Sequence, residues 1–329
     1  MALSAFAIVW TALGLYAVLA GADFGVGILV LVGRLGRSRA AVERDCLAYF
    51  SRVWEVHGLL LVFFLTGLFV AFPPALGLLG DTLVTPVLFA VALFVVRAMA
   101  YLLLHGRVAP GPAAPVVIFG LASAGVALLL GYAAAAAASG AITGHHLPAS
   151  YFTSPVGFAA IPLALAASAH LAAVALCVHT RGPSRDWFRR AAMVCGTVAL
   201  LAAGGLTVAI LQQATYTRGR LLGLHGAPMV AAGCLLLLAL LALARRRVRL
   251  AALATAAGYL TGFLGGAFAQ LPYVVYPELK LSAAASPSST LSAFLIAAAF
   301  GAPALIAAVG VLYSVVLRWD AAVGDGSHP

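Results

Sequence analysis

Nine long apolar segments constrain this chain more than any other feature of its sequence. They fall at approximately residues 3–33, 47–72, 83–104, 113–138, 154–178, 190–213, 226–244, 250–271 and 289–317. A helix needs about 20 apolar residues to cross a hydrocarbon core of about 30 Å. Only 9% of the residues are charged, whereas soluble domains carry about 25%. The sequence therefore predicts an all-α, polytopic membrane helical bundle with about nine transmembrane helices.

The domain organisation follows from these segments. We expect a single transmembrane helical domain over residues 1–319, with two bundle-like halves at roughly 1–139 and 154–319, and a short polar tail at 320–329. The first apolar run is too long for the hydrophobic region of a cleavable signal and lacks a basic start, so it is interpreted as the first span.

The basic residues predict the orientation. The formal net charge is +10, but the arginines cluster in short loops between spans, so we expect no nucleic-acid partner. Fourteen basic residues lie in alternate loops and the C-terminal tail, against three in the other loops. Since cytoplasmic loops carry an excess of Lys and Arg, the sequence predicts an N-terminus outside and a C-terminus in the cytoplasm. The fourteen are Arg34, Arg37, Arg39, Arg44, Arg107, Arg181, Arg185, Arg189, Arg190, Arg245, Arg246, Arg247, Arg249 and Arg318.

Two opposite charges stand inside the predicted spans. Asp23 lies in the first span in the stretch GADFGVG, residues 21–27. Its glycines would let a neighbouring helix approach closely. Arg97 in the third span is permanently charged and costly in lipid, so we expect it to meet an acid, either Asp23 or Glu55. For Asp23 two interpretations stay open: a proton-conducting or charge-compensating acid, and a structural ion pair that locks two helices.

The second span carries Glu55 and His57. The two side chains point to different faces of a helix, so they do not clamp one metal ion together. Glu55 lies about one turn inside the predicted cytoplasmic end, a depth that suits the mouth of a proton path. The alternative is an interfacial Glu55 that pairs with Arg52. For His57, a hydrogen-bonded histidine inside the bundle is preferred over a metal or haem ligand.

The remaining candidate groups do not form a recognisable catalytic or metal site. His170 lies deep in the fifth span, where a satisfied polar contact is preferred over an axial haem ligand. His145 and His146 are expected to be surface residues. Cys46, Cys177, Cys195 and Cys234 lack metal-ligand spacing and are interpreted as small thiols, three of them in or near apolar runs. The sequence identifies no catalytic residue, metal ligand set or cofactor-binding residue.

Several motifs resemble subunit II of the cytochrome bd-type quinol oxidases. The first span carries the Gly-x-Asp-x-Gly-Val-Gly element of that family as residues 21–27. Residues 54–61, WEVHGLLL, align with its Trp-Asp-Gly-Asn-Glu/Gln-Val-Trp-Leu motif, and residues 67–73 continue the match. Arg97 falls at the arginine of the family's third helix. Further similarities are Thr180-Arg181-Gly182, the segment from Tyr276-Pro277 through Ser286-Pro287 to Thr290-Leu291, and Tyr313.

The resemblance implies a function and a set of partners. It implies subunit II of a bacterial membrane oxidase that couples quinol oxidation to reduction of O2 to water, multi-pass in the cytoplasmic (inner) membrane. Haems b and d are expected in a partner, subunit I, and this chain alone is not expected to be catalytic. It would support subunit I and contribute Glu55, Asp23, Arg97 and His57 to a cytoplasmic proton pathway or to charge compensation. A structural quinone, a small single-helix accessory subunit, and contacts with membrane quinol and lipid are also implied.

The chain departs from the family pattern in its second span. Glu55 stands where the family has Asp, and residues 56–60, VHGLL, replace Gly-Asn-Glu/Gln-Val-Trp. Two other functions remain as alternatives. One is a secondary transporter or channel with a mid-membrane Asp/Glu/Arg site, in which Gly25 and Gly27, or Gly262, Gly265 and Gly266, would mark broken helices. The other is a purely structural membrane subunit.

Overall fold

The structure is a computed structural model that consists mostly of helices. It describes residues 1–34, 39–104, 113–144, 146–213, 215–223, 226–301 and 303, and for residues 39, 51–56, 113 and 215 it describes the backbone alone. The helices in this part of the chain are α1 (Ala2–Gly33), α2 (Arg39–Ala71), α3 (Pro73–Leu104), α4 (Ala113–Ser139), α5 (Pro155–His179), α6 (Pro183–Gln213), α7 (Thr215–Leu221), α8 (Ala227–Ala244), α9 (Val248–Ala269), α10 (Leu281–Ala284) and α11 (Ser288–Gly301).

Membrane-spanning capacity follows from helix length and composition. Within the described ranges, seven helices are long and apolar enough to cross a membrane, namely α1, α3, α4, α5, α6, α8 and α9. The other two predicted spans correspond to α2, whose apolar part is His57–Ala71, and to α11, whose described part ends at Gly301. The helical membrane bundle is confirmed, while the count of nine spans, the orientation and the division into two halves stay predictions.

Three helices begin well before the apolar runs that predicted them. The run 83–104 belongs to a helix that begins at Pro73, because Asp81 and Thr82 interrupt the hydrophobicity but not the backbone hydrogen bonding. Similarly, α2 begins at Arg39 and α6 at Pro183, through charged residues that precede the apolar stretch. Proline is favoured in the first turn of a helix because its missing N–H is not needed there.

Helix α1 occupies the centre of the bundle. It packs against α2, α4, α5 and α9, and it buries residues along its whole length, from Ala5 and Val9 to Val26 and Val30. A helix that is apolar on all sides is expected to be surrounded. The α1 helix therefore joins both predicted halves, since α4 belongs to the first and α5 to the second.

The glycines of α1 set the distance to its neighbours. A Cβ atom at Gly25 would overlap the backbone carbonyl of Ser168 in α5, and one at Gly27 would overlap the side chain of Ser123 in α4. Close approach of backbones at small residues is a common way of packing helices in membranes. The two glycines thus allow α5 and α4 to come close to the segment that carries Asp23.

The connection between α4 and α5 and the segment between α9 and α11 each contain short elements of secondary structure. Residues Ala149–Thr153 form a 3-10 helix, and Tyr151 donates a hydrogen bond from its hydroxyl to Tyr132 O at 3.2 Å. Burial raises the pKa of the Tyr151 phenol above its ordinary value. In the other segment, strand β1 (Tyr273–Val275) pairs antiparallel with β2 (Leu279–Lys280). These short elements close one end of the bundle.

A Gly25→Ala substitution tests the contact between α1 and α5. The added methyl group meets backbone rather than a flexible side chain, so we expect a loss of stability of about 1–3 kcal/mol, as for overpacked cores. The matched control is Gly204→Ala in α6, where a Cβ meets nothing within 4 Å. Thermal unfolding of the purified protein measures both. Equal melting temperatures for the two variants would contradict the close packing described here.

Candidate functional site

The site is built around an ion pair between α1 and α3. Arg97 Nη2 lies 2.8 Å from Asp23 Oδ1, and the same nitrogen donates a hydrogen bond to the main-chain oxygen of Asp23 at 3.0 Å. Asp23 is 1% exposed and Arg97 is 2% exposed. Of the two acids considered for Arg97, the structure brings Asp23 to it. Because water does not screen a buried pair, each charge depends on the other.

A third helix fixes the arginine. Arg97 Nε donates to Ser123 Oγ at 2.8 Å, and Ser123 Oγ donates to Phe119 O at 2.7 Å within α4. Ser123 reaches this position because Gly27 leaves the necessary space on α1. The spacing of Asp23 and Gly27 therefore has a structural reason: the first binds the guanidinium, and the second admits the hydroxyl that orients it.

Aromatic rings enclose the guanidinium. Its Cζ atom lies 4.5 Å from the ring centroid of Phe50, 5.2 Å from that of Phe119, 5.3 Å from that of Phe24 and 5.8 Å from that of Phe94. A cation within about 6 Å of a ring centroid is attracted by the ring. These rings also exclude water, so Arg97 is held in one orientation by contacts from four helices.

His57 lies on the other side of the carboxylate. His57 Nε2 is 3.7 Å from Asp23 Oδ2, and the His57 side chain is 4% exposed. It also stands near the rings of Tyr16 and Phe24, with centroid distances of 6.1 and 6.5 Å. A separation of 3.7 Å exceeds a hydrogen bond, so a small movement is needed for direct proton exchange. Asp23 therefore lies between a permanent cation and a group that titrates.

Glu55 belongs to α2, two residues before His57, and its side chain lies outside the described residues. The same holds for Arg52 and Trp54. The predicted position of the Glu55 carboxylate, and its alternative pairing with Arg52, therefore stay predictions.

His170 forms a separate polar contact that joins α5, α6 and α9. Its Nδ1 lies 2.8 Å from Ala192 O, and its Nε2 lies 3.2 Å from Thr255 Oγ1. A carbonyl oxygen only accepts, so Nδ1 carries a proton. The imidazole is completely buried, and Gly196 of α6 gives it room. With both ring nitrogens engaged, His170 matches the preferred prediction of a satisfied polar contact.

The cysteines and His146 take no part in the ion pair of Asp23 and Arg97 within the described residues. Among the described residues, no three His, Cys, Asp or Glu side chains come together as a metal site. The four cysteines are free thiols, with Cys46 and Cys177 buried, Cys195 half-buried and Cys234 exposed. His145 lies outside the described residues, whereas His146 forms a short backbone bridge with Thr143.

Comparison with known proteins assigns this architecture to a family. The sequence profile of the family described as cytochrome bd terminal oxidase subunit II matches residues 1–316. The chain belongs to this family. It is therefore a multi-pass protein of the bacterial cytoplasmic membrane, in a family of oxidoreductase complexes. A comparison with curated protein sequences gave no match.

A solved structure shares the fold of this subunit II family member. The match is to the structure of bd oxidase from Geobacillus thermodenitrificans, with a TM-score of 0.81 and 20% sequence identity. The alignment covers 96% of this chain and 98% of the other chain. At this level of identity, the likeness shows the common helical fold.

Sequence reasoning missed several residues around Arg97. Ser123 is a single hydroxyl in an apolar run, and small polar residues of this type are frequent in membrane helices without a charged partner. Phe24, Phe50, Phe94 and Phe119 are ordinary residues of apolar spans. These four rings surround the Arg97 guanidinium only because three helices and α3 itself bring them together. No local pattern in the sequence shows this arrangement.

A double-mutant cycle tests the coupling of Asp23 and Arg97. Asp23→Asn or Arg97→Gln alone leaves one buried charge without its partner, for which we expect a cost of about 3–5 kcal/mol. The double variant removes both charges, so its cost should be clearly smaller than the sum of the two single costs. Unfolding of the purified protein gives the values, with Asp81→Asn as the control for an exposed carboxylate. Additive costs would contradict the ion pair.

Proposed function

We propose that this chain is subunit II of a membrane oxidase that transfers electrons from quinol to O2, and that it supports a haem-bearing subunit I. Family membership over nearly the whole chain supports this proposal, and so does the likeness in fold to a bd oxidase. In this proposal the partner carries haems b and d and the redox chemistry. This chain contributes a scaffold and a proton-handling site.

The surface of α3 supports lateral packing in the membrane. Val84, Leu88, Val91, Val95 and Leu102 follow one helix face, and each is 47–64% exposed. Spacings of three and four residues place side chains on the same side of a helix. Apolar side chains of this kind are suited to contact with lipid or with another membrane subunit.

The observation that carries the proton role is the position of Asp23 between Arg97 and His57. Arg97 is held in place by Asp23, Ser123 and the aromatic rings, and its guanidinium is permanently charged. An ionised Asp23 balances that charge. Histidine is the residue type that exchanges a proton near neutral pH, so His57 is the member of this cluster suited to accept and release one. We assign charge compensation to Asp23 and Arg97, and proton transfer to His57.

Glu55 extends this route towards the end of α2 that is predicted to be cytoplasmic. It precedes His57 by two residues along the helix axis, a rise of about 3 Å. In the proposal, Glu55 takes up protons from cytoplasmic water and His57 passes them on beside Asp23. Protons then leave towards subunit I. The structural quinone and the small accessory subunit stay predictions from the family resemblance.

The helices α1 and α9 do not support the transporter alternative. In that alternative, Gly25 and Gly27, or Gly262, Gly265 and Gly266, would mark helices broken near the middle of the membrane. Both stretches are fully described, and α1 runs without interruption from Ala2 to Gly33, as α9 does from Val248 to Ala269. Neither helix has the unwound midpoint that such transporters use for binding.

Oxygen consumption by the purified complex tests the proton role. We expect Glu55→Gln and His57→Gln each to slow quinol-driven oxygen uptake about tenfold or more, because loss of a proton-transfer group typically costs at least this much. The haem absorption spectrum should stay unchanged, since neither residue is assigned to a haem.

Asp81→Asn provides the control, because it removes an exposed carboxylate from α3 and should leave the rate unchanged. Unaltered turnover in both site variants would reject the proton route. Loss of haem together with activity would instead favour a purely structural subunit.

A further inference from the structure

An arginine-lined cavity lies at the end of the bundle where α5 ends and α6 begins. It has a volume of about 630 Å³, and Arg185, Arg189, Arg190 and Arg246 line it together with Asp186 and Trp187. A second cavity of about 490 Å³ shares Pro183 with the first and adds Arg44, Arg181 and Asp45, and Arg44 Nε lies 3.8 Å from Asp45 Oδ1. Residues from α2, the α5–α6 connection and the α8–α9 connection therefore form one basic surface.

The positive charge of the first cavity is not balanced within the described residues. Asp186 is the single carboxylate in its lining, and it is shared by Arg189 Nε at 3.5 Å and Arg246 Nη1 at 3.8 Å. Arg189 Nε is shielded from solvent without a hydrogen bond among the described residues. Four guanidinium groups around one carboxylate leave donors for a further anion, and arginine is well suited to phosphate oxygens.

The backbone around the cavity supports the same ligand chemistry. Gly182 and Pro183 in its lining place the start of α6 at the cavity, and the N-terminus of a helix favours an anion. Arg246 has a φ of 58°, which is an uncommon conformation for a residue other than glycine. This conformation lets the α8–α9 connection turn sharply and place the Arg246 guanidinium beside Asp186.

The surface next to the cavity is apolar. Arg190 is followed on the same face of α6 by Val194, Val198 and Leu201, at spacings of four, four and three residues. Val194 is 65% exposed and Leu201 is 72% exposed. Trp187 also lines the cavity, and tryptophan is enriched at the boundary between membrane and water. A basic cavity next to an apolar strip is complementary to a molecule with an anionic headgroup and acyl chains. A soluble anion would contact the cavity but not the strip.

We propose that this cavity binds the phosphate headgroup of an anionic phospholipid, with the acyl chains along Val194, Val198 and Leu201. Arg190 and Arg246 contact the phosphate, while Arg189 and Asp186 hold the floor of the cavity in place. This site is separate from Asp23, Arg97 and His57, and it stands independently of the oxidase role. Basic groups at the surface of a membrane attract anionic lipids, and the cavity adds a defined position to that attraction.

Lipid titration of the purified, delipidated complex tests the proposal. The melting temperature is followed in detergent during addition of phosphatidylglycerol, phosphatidylcholine or inorganic phosphate. Ligands that bind the folded state raise the melting temperature, so phosphatidylglycerol should raise it by about 3–4 °C, and the other two should have little effect. Bound phosphatidylglycerol is also quantified per complex after gentle purification.

Two matched variants distinguish the cavity from general surface charge. Arg190→Gln combined with Arg246→Asn removes two lining charges, and asparagine tolerates the backbone conformation of residue 246. In this variant we expect phosphatidylglycerol to raise the melting temperature much less. We also expect about one phosphatidylglycerol molecule fewer to remain bound per complex after purification. Arg245→Gln combined with Arg249→Gln removes the same charge from exposed positions outside the cavity and should behave like the unmodified complex. Arg185→Gln serves as a second cavity variant if the first does not assemble.

Three results would overturn the proposal. An equal effect of inorganic phosphate would show a site for free anions rather than for lipid. Equal losses in both double variants would show general attraction to surface charge. Absence of any phosphatidylglycerol effect on the unmodified complex would show that lipid does not occupy the cavity. None of these results depends on oxygen consumption, so failure here leaves the proposed oxidase role untouched.

Discussion

The buried ion pair of Asp23 and Arg97 governs the arrangement of the helices around it. Neither side chain is tolerated in a hydrocarbon environment without the other, so α1 and α3 must meet at this depth. The hydroxyl of Ser123 then fixes α4 against the same point, and Gly25 and Gly27 allow α5 and α4 to approach closely enough. The Asp23 carboxylate thus links α1 to α3 directly, and to α4 through Arg97 and Ser123.

The sequence predicted the helical membrane bundle because the apolar runs are long and their interruptions are clear. It predicted helix ends less well. Hydropathy measures the length of chain that prefers lipid, whereas a helix continues wherever its backbone hydrogen bonds continue. Arg39 and Pro183 begin helices that extend beyond the apolar region, and Pro73 begins α3 ten residues before the predicted span. Polar residues at these ends are consistent with helices that emerge from the membrane.

The part of the candidate site made of residue types that are rare in membrane spans could be predicted from the sequence. The part made of residue types that are common in such spans could not. Intramembrane acids are so few here that Asp23 and Glu55 were the candidates for Arg97, and the structure pairs Asp23 with Arg97. Ser123 and the four phenylalanines are not rare, and their role depends on helix rotation, which hydropathy does not determine. His170 illustrates the same limit: burial was predictable, but its partners Ala192 and Thr255 lie on other helices, 22 and 85 residues away in sequence.

The separation of Asp23 and Arg97 along the chain has a consequence for biogenesis. The two residues are 74 positions apart, so the ribosome completes the first span well before it makes the third. During that interval the carboxylate of the nascent helix has no guanidinium to neutralise it. A buried charge without a partner is costly, so the docked position of α1 is not stable until α3 arrives. Membrane insertion of α1 and its final docking are therefore distinct steps, and synthesis of α3 supplies the group that makes the docked position stable.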